Sequence, residues 1–205
     1  MAVAVAKVAI LASGSGTNAE RLIAAAQAAP DVEVVLVASN RAKAGVLNRA
    51  DRLGIPTWNF RRAELESGAV TARLLDLGVE FVALAGFLMK VPDGLVAAYS
   101  GRMLNLHPAL LPAFGGKGMY GQHVHDAVHA ALLAGEVSRT GITLHWVDAG
   151  YDTGAPFFQA DALLTDSDSP ACIAEKVRQL EMEHYAPETL RAVRESLSLP
   201  DPAAG

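Results

Sequence analysis

Lys7-Val8-Ala9-Ile10-Leu11-Ala12-Ser13-Gly14-Ser15-Gly16-Thr17-Asn18 is the stretch that decides the fold. Residues 7–12 form an unbroken apolar run after one lysine, the pattern of a strand buried on both faces. Ser13 to Gly16 form a tight turn, and residues 18–29 then read as a helix. A strand, a glycine turn and a helix in that order open an α/β sheet. The free N–H groups and positive dipole end of a helix N-terminus suit a phosphate there. A dinucleotide site would need a third glycine where Ala19 stands and an acid after the second strand. The residues at that place are Ser39-Asn40-Arg41. Arg41 could serve a 2′-phosphate, so a nicotinamide oxidoreductase stays open, as does a turn that holds no ligand. A lone phosphate monoester is the preferred ligand.

Outward from this unit, apolar runs alternate with helical stretches. Strands are expected at 32–38, 55–60, 81–85 and 103–107, with helices at 44–53, 63–77 and 93–99. Gly54 closes the second helix, and Pro92 precedes a short one. After Pro108 the texture changes. Residues 108–122 are rich in Gly and Pro and predict a long loop, followed by a helix at 123–134. Strands at 141–147 and 155–163 flank a Gly-rich turn and predict an antiparallel addition. A closing helix spans 168–197, and the tail 200–205 is expected to fray. The fold class is α/β and Rossmann-like: a mostly parallel central sheet, helices on both faces, and an antiparallel C-terminal addition. No repeat or linker divides the chain, so residues 1–205 are read as one domain.

The chain has 205 residues, 51% of them apolar and 19% charged, which excludes a disordered chain. Its net charge is −5 and no block of Lys or Arg stands out, so no nucleic-acid partner is expected. The apolar start carries Lys7 in its middle rather than at its front, unlike a secretory signal. No run reaches the roughly 20 residues that span a bilayer, so no membrane partner is expected and the location is read as cytoplasmic. Cys172, the single cysteine, cannot form an internal disulfide and is expected in the core.

Met103-Leu104-Asn105-Leu106-His107-Pro108 carries the chemistry. Strand alternation puts Leu104 and Leu106 on one face and Asn105 and His107 on the other. A carboxamide and an imidazole at a strand's C-terminal end, where open α/β sheets bind ligands, can donate to an oxygen that becomes negative. A buried structural pair is the alternative. Val147-Asp148-Ala149-Gly150-Tyr151-Asp152-Thr153-Gly154 is a turn with two aspartates. Either could be a plain turn residue. A carboxylate beside His107 would raise the histidine pKa. His125 and His129 lie one helical turn apart with His123 nearby, a spacing zinc could use. The glutamate of a zinc protease is missing between them, and the expectation is no metal.

These stretches together resemble the folate-dependent formyltransferases. The matching segments are SGSGTN at 13–18, SNR at 39–41, LAGFLMKVP at 84–92, GRMLNLHPALLPAF at 101–114 and GITLHWVDAGYDTG at 141–154. SGSGTN narrows the resemblance to the phosphoribosylglycinamide enzymes of purine synthesis. The resemblance implies transfer of formyl from 10-formyltetrahydrofolate, a co-substrate, to the amine of phosphoribosylglycinamide, between small molecules only. It implies a catalytic set of Asn105, His107 and Asp152. Gly16, Thr17, Asn18 and Glu181 would bind the phosphoribosyl substrate. Leu88, Met89, Lys90, Val91, Asn105, Asp148, Ala149, Gly150, Tyr151 and Asp152 would line the folate pocket. The relatives often carry Met-Arg after AGF where this chain has Leu88-Met89, so no arginine contact is implied there. The loop at 115–121 is longer than in some relatives. Monomer and homodimer both fit. The related methionyl-tRNA enzyme adds a C-terminal RNA domain and the folate hydrolase an N-terminal regulatory one; neither is expected here.

Overall fold

A computed structural model describes residues 5–198. The expectations for residues 1–4 and for the tail at 200–205 lie outside the described residues. Seven strands form one sheet: β1 (Ala6–Leu11), β2 (Val32–Ser39), β3 (Thr57–Asn59), β4 (Phe81–Leu84), β5 (Met103–His107), β6 (Arg139–Trp146) and β7 (Pro156–Leu163). Their order is β3-β2-β1-β4-β5-β6-β7. The first five pair in parallel, and β6 and β7 are antiparallel additions. The helices are α1 (Thr17–Gln27), α2 (Gly45–Arg52), α3 (Arg62–Glu66), α4 (Ala69–Asp76), α5 (Asp93–Ala98), α6 (Gln122–Leu133) and α7 (Pro170–Leu197).

Alternation along the buried strands builds two cores. Val8 and Ile10 of β1, Phe81 and Ala83 of β4, and Leu104 and Leu106 of β5 meet α1, α2 and α7 on one face. Ala9, Leu11, Val82, Leu84 and Met103 meet α3, α4 and α5 on the other. Burying each large side chain contributes roughly 1.5–3 kcal/mol, so both faces of every central strand stabilise the sheet. Chain order reverses between β1 and β4. This switch point opens a crevice at the strands' carboxyl ends.

Three expectations change. The single helix at 63–77 is two helices, because Ser67 ends the first and Gly68 turns left-handed with φ 84°. The strand expected at 55–60 pairs only over Thr57–Asn59, at the sheet edge, where one neighbour is missing. Cys172 is exposed rather than buried. It sits in the first turn of α7 beside the capping Ser169, whose hydroxyl accepts the Cys172 N–H, and Ile173 takes the core-facing position instead.

Candidate active site

A cavity of about 570 Å3 opens at the carboxyl ends of β4 and β5, beside the start of α1. Asn105 and His107 enter it from β5, whose antiparallel neighbour β6 sets Asn105 opposite His145 and His107 opposite Thr143. Thr143 and Gln159 hold the chain that leaves β5. The Thr143 hydroxyl donates to the Ala109 carbonyl at 2.7 Å and accepts the Leu111 N–H at 3.0 Å, while Gln159 donates to the Leu111 carbonyl at 3.0 Å. That tether returns Phe114 to His107, whose Nε2 lies 2.9 Å from the Phe114 carbonyl. A carbonyl only accepts, so Nε2 carries a proton, and Nδ1 is the nitrogen left for the cavity.

Asp152 faces that nitrogen. One carboxylate oxygen stands 3.5 Å from His107 Nδ1 and accepts the Gly116 N–H at 3.0 Å. The other stands 3.5 Å from His145 Nε2. Asp152 has φ 56°, a left-handed backbone that Asp and Asn tolerate better than most residues. Asp148 takes a turn role instead: its carboxylate accepts from the Gly150 N–H and the Thr153 hydroxyl. His145 completes the cluster. Its Nδ1 lies 3.0 Å from the Trp146 carbonyl and must donate, so in the neutral ring Nε2 is an acceptor. Asn105 Nδ2 reaches that Nε2 at 3.0 Å. One amide hydrogen of Asn105 is thereby fixed and its second is directed elsewhere.

The expected rise in the His107 pKa is not what the structure gives. Burial pushes the imidazole down, and the Asp152 charge and the Phe114 carbonyl recover only part of that loss, so the net direction is downward. Sequence spacing could not weigh how deep the ring lies; it is 3% exposed. Burial pushes the Asp152 carboxyl up, but the adjacent His145 and His107 rings and the Gly116 N–H together hold it below the usual carboxylate range.

At the opposite side of the cavity, Asn18 Nδ2 donates to Glu181 at 2.9 Å. Asn18 Oδ1 is buried without a partner among the described residues. Burial raises the Glu181 carboxyl above its usual value despite the Asn18 bond. Tyr185, one turn further along α7, anchors this wall by donating to the Leu84 carbonyl at 3.2 Å. Gly16 and Thr17 do not line the cavity, whereas Asn18, the next residue, does. A Cβ on Gly16, which has φ 85°, would sit 2.5 Å from Val46 Cα, so glycine there lets α1 start against α2. The first helical bond of α1 runs from Glu20 N to Gly16 O; the backbone N–H groups at 14–18 make no hydrogen bond among the described residues.

Of the expected folate-side residues, Leu88, Met89, Lys90, Val91, Asp148, Gly150 and Tyr151 line the cavity and Ala149 does not. Lys90 stands 5.9 Å from the Tyr151 ring centre. Sequence reading missed His145, whose signal is Thr143-x-His145 alternating opposite Asn105-x-His107. It also missed the Phe114 carbonyl and the Gly116 N–H, backbone groups that leave no trace in residue type. His125 lines the cavity while His123 stacks edge-on against Tyr120. No group of three or more His, Cys, Asp or Glu among the described residues is arranged to hold a metal ion. No helix among them is long and apolar enough to cross a membrane.

Comparison with known proteins places the chain. Residues 6–189 match the family described as formyl transferase. The phosphoribosylglycinamide formyltransferase of Bacillus subtilis (strain 168) is 34% identical over 185 residues, 87% of this chain and 90% of that protein. The chloroplastic enzyme of the same name from Arabidopsis thaliana is 38% identical, and the chain spans only 62% of its length. The crystal structure of phosphoribosylglycinamide formyltransferase from Brucella melitensis superposes with a TM-score of 0.79 at 35% identity, covering 92% of this chain and 96% of that one. The chain belongs to the formyl transferase family.

Proposed function

We propose that the chain, as a single domain, is a phosphoribosylglycinamide formyltransferase of purine synthesis that takes its formyl group from 10-formyltetrahydrofolate in the cytoplasm. One observation carries the reading: the Asn105–His145–Asp152–His107 cluster and the Asn18–Glu181 pair line a single cavity. The first is a set for acyl transfer. The second, next to free helix N–H groups, fits a phosphate-bearing sugar.

In this mechanism Glu181 and Asn18 hold the ribose and glycinamide side, with the phosphate on the N–H groups at 14–18. The backbone of 88–91 and the 148–152 turn hold the folate. The glycinamide amine attacks the formyl carbon, and the formyl oxygen becomes an oxyanion. Asn105 donates its second amide hydrogen to that oxygen. His107 donates through Nδ1, which requires the imidazolium because Nε2–H is committed to Phe114. The growing negative charge raises the His107 pKa as the transition state forms, so the donor strengthens when it is needed. Each such donor is typically worth about 2.7–4 kcal/mol. Asp152 accepts the proton released by the attacking nitrogen and returns it to the leaving N10, directly or through water. The carbon–N10 bond breaks and the oxyanion collapses to the new formamide. No covalent enzyme intermediate is needed.

The test is tetrahydrofolate release followed spectrophotometrically with and without phosphoribosylglycinamide. Release that depends on that amine, and that falls at least about 100-fold in His107→Ala with KM little changed, is expected. Release at the same rate without the amine would remove the reading, and wild-type turnover in His107→Ala would remove the assignment of His107.

A further inference from the structure

One hydroxyl joins the two loops that border the cavity at the sheet's switch point. Ser13 leads from β1 into the 14–18 turn and is 1% exposed. Its Oγ donates to Asn40 Oδ1 at 2.7 Å, just past β2, and accepts the Leu88 N–H at 3.0 Å, just past β4. Its own N–H donates to the Gly86 carbonyl at 3.0 Å. A serine hydroxyl has one proton. Leu88 N–H can only donate, and the hydroxyl proton goes to Asn40 Oδ1. Each member of the relay therefore has one direction. The Leu88 side chain is 43% exposed, so burial of that side chain does not by itself explain the bond to a residue 75 positions earlier.

We infer that Ser13 is a positioning residue that couples the two substrate halves of the cavity. It holds the backbone of 88–91 at a fixed offset from the 14–18 turn. Filling the turn with a phosphorylated amine then favours the folate-side geometry, and the reverse must hold by linkage. The inference rests on the assignment of the two cavity ends given above. Ser13 touches neither substrate in this reading and acts only through Leu88 and the turn.

The experiment uses the full chain with Ser13→Ala. Three quantities are read: the Leu88 amide exchange rate, the KM for 10-formyltetrahydrofolate, and the affinity for that folate with and without saturating phosphoribosylglycinamide. Loss of Leu88 protection, a folate KM raised about five- to tenfold with kcat within threefold, and loss of the coupling between the ligands are expected. A merely structural role would lower the melting temperature and leave the coupling ratio alone. Unchanged Leu88 exchange, a folate KM within twofold of wild type, or an unchanged coupling ratio overturns the inference. If Ser13→Ala does not fold, Asn40→Ala keeps the buried serine and removes only its oriented acceptor; the same three shifts, smaller in size, are expected, and their absence overturns it equally. Failure of the functional reading looks different: wild type would show no tetrahydrofolate release that depends on phosphoribosylglycinamide, while Leu88 exchange would still report the relay.

Discussion

Asp152→Asn separates the charge of the carboxylate from its shape. Asn retains an oxygen for the Gly116 N–H and tolerates φ 56°, whereas Asp152→Ala would add backbone strain and lose the Gly116 bond at once. The charge lies 3.5 Å from His107 Nδ1. At an effective dielectric near 20 this corresponds to about 4–5 kcal/mol of attraction for imidazolium, an upper limit on what the charge contributes. Opposite charges at such range usually move a pKa by about 1–3. In wild type that push already loses to burial. Without it, His107 should titrate lower still.

The sign follows from the proton count. Only imidazolium can donate through Nδ1, so activity falls as pH rises through the His107 pKa in the liganded protein. Asp152→Asn should move that descending limb to lower pH and cut the rate on the limb about tenfold for each pH unit the limb moves. Losing the proton acceptor should cost about 100-fold more at every pH. Two assays check this: tetrahydrofolate release from pH 5.5 to 9, and the His107 ring titration by NMR. The ring measurement does not depend on turnover. A His107 pKa that stays put or rises in Asp152→Asn would refute the argument, whatever the rate does.

Two further outcomes test how the fold supports the site. Gly16→Ala forces a Cβ within 2.5 Å of Val46 Cα at φ 85°; overpacking and left-handed strain together should cost about 3 kcal/mol, about 10 °C in melting temperature. Gly14→Ala meets nothing within 4 Å and should shift it by less than about 2 °C, so equal losses in the two variants would contradict the close approach to α2. Asp31→Asn breaks a buried pair in which Arg194 donates to both carboxylate oxygens at 2.7 and 3.1 Å, a loss of about 3 kcal/mol near pH 7. The Arg194 hydrogen bond holds the Asp31 carboxyl below its usual value against burial. Its contribution is therefore complete above the unfolded pKa, about 3.9, and disappears as pH falls through the folded value. The gap in urea midpoint between the two proteins should narrow below about pH 4, and a constant gap would show that the charge is not what stabilises.

The fold was legible because its signals are local. An apolar run such as 7–12 states burial on both faces, and alternation with helices states parallel pairing. Errors arose where a neighbour decides. At 55–60 the apolar run suggests a full strand, but an edge position leaves only three residues paired. At 63–77 the helical pattern continues through Ser67-Gly68, and only the left-handed Gly68 shows the break. Cys172 followed a general preference for burial that the first turn of α7 overrides.

The site divides along the same line, and that division bears on how it works. Asn105 and His107 are legible because one strand carries both. His145 was present in the sequence but silent, since its meaning depends on the register that sets it opposite Asn105. Only the resemblance singles out Asp152; nothing within its turn distinguishes it from Asp148, and it is the fold that sets its carboxylate between two imidazoles. The groups that decide protonation are the least legible. The Phe114 carbonyl fixes which His107 nitrogen faces the cavity, the Trp146 carbonyl does the same for His145, and the Gly116 N–H steadies Asp152. All three belong to the backbone, and two come from the glycine-rich loop after β5. If that loop shifts, Nε2 loses its acceptor and the imidazole is free to change tautomer, so neutral His107 could donate through Nδ1. The requirement for imidazolium is then a property of the loop as much as of the histidine. A substitution that loosens 114–116, such as Gly115→Ala, where a Cβ would lie 2.6 Å from Leu111 Cδ2, should therefore broaden or displace the descending pH limb even though it removes no titrating group.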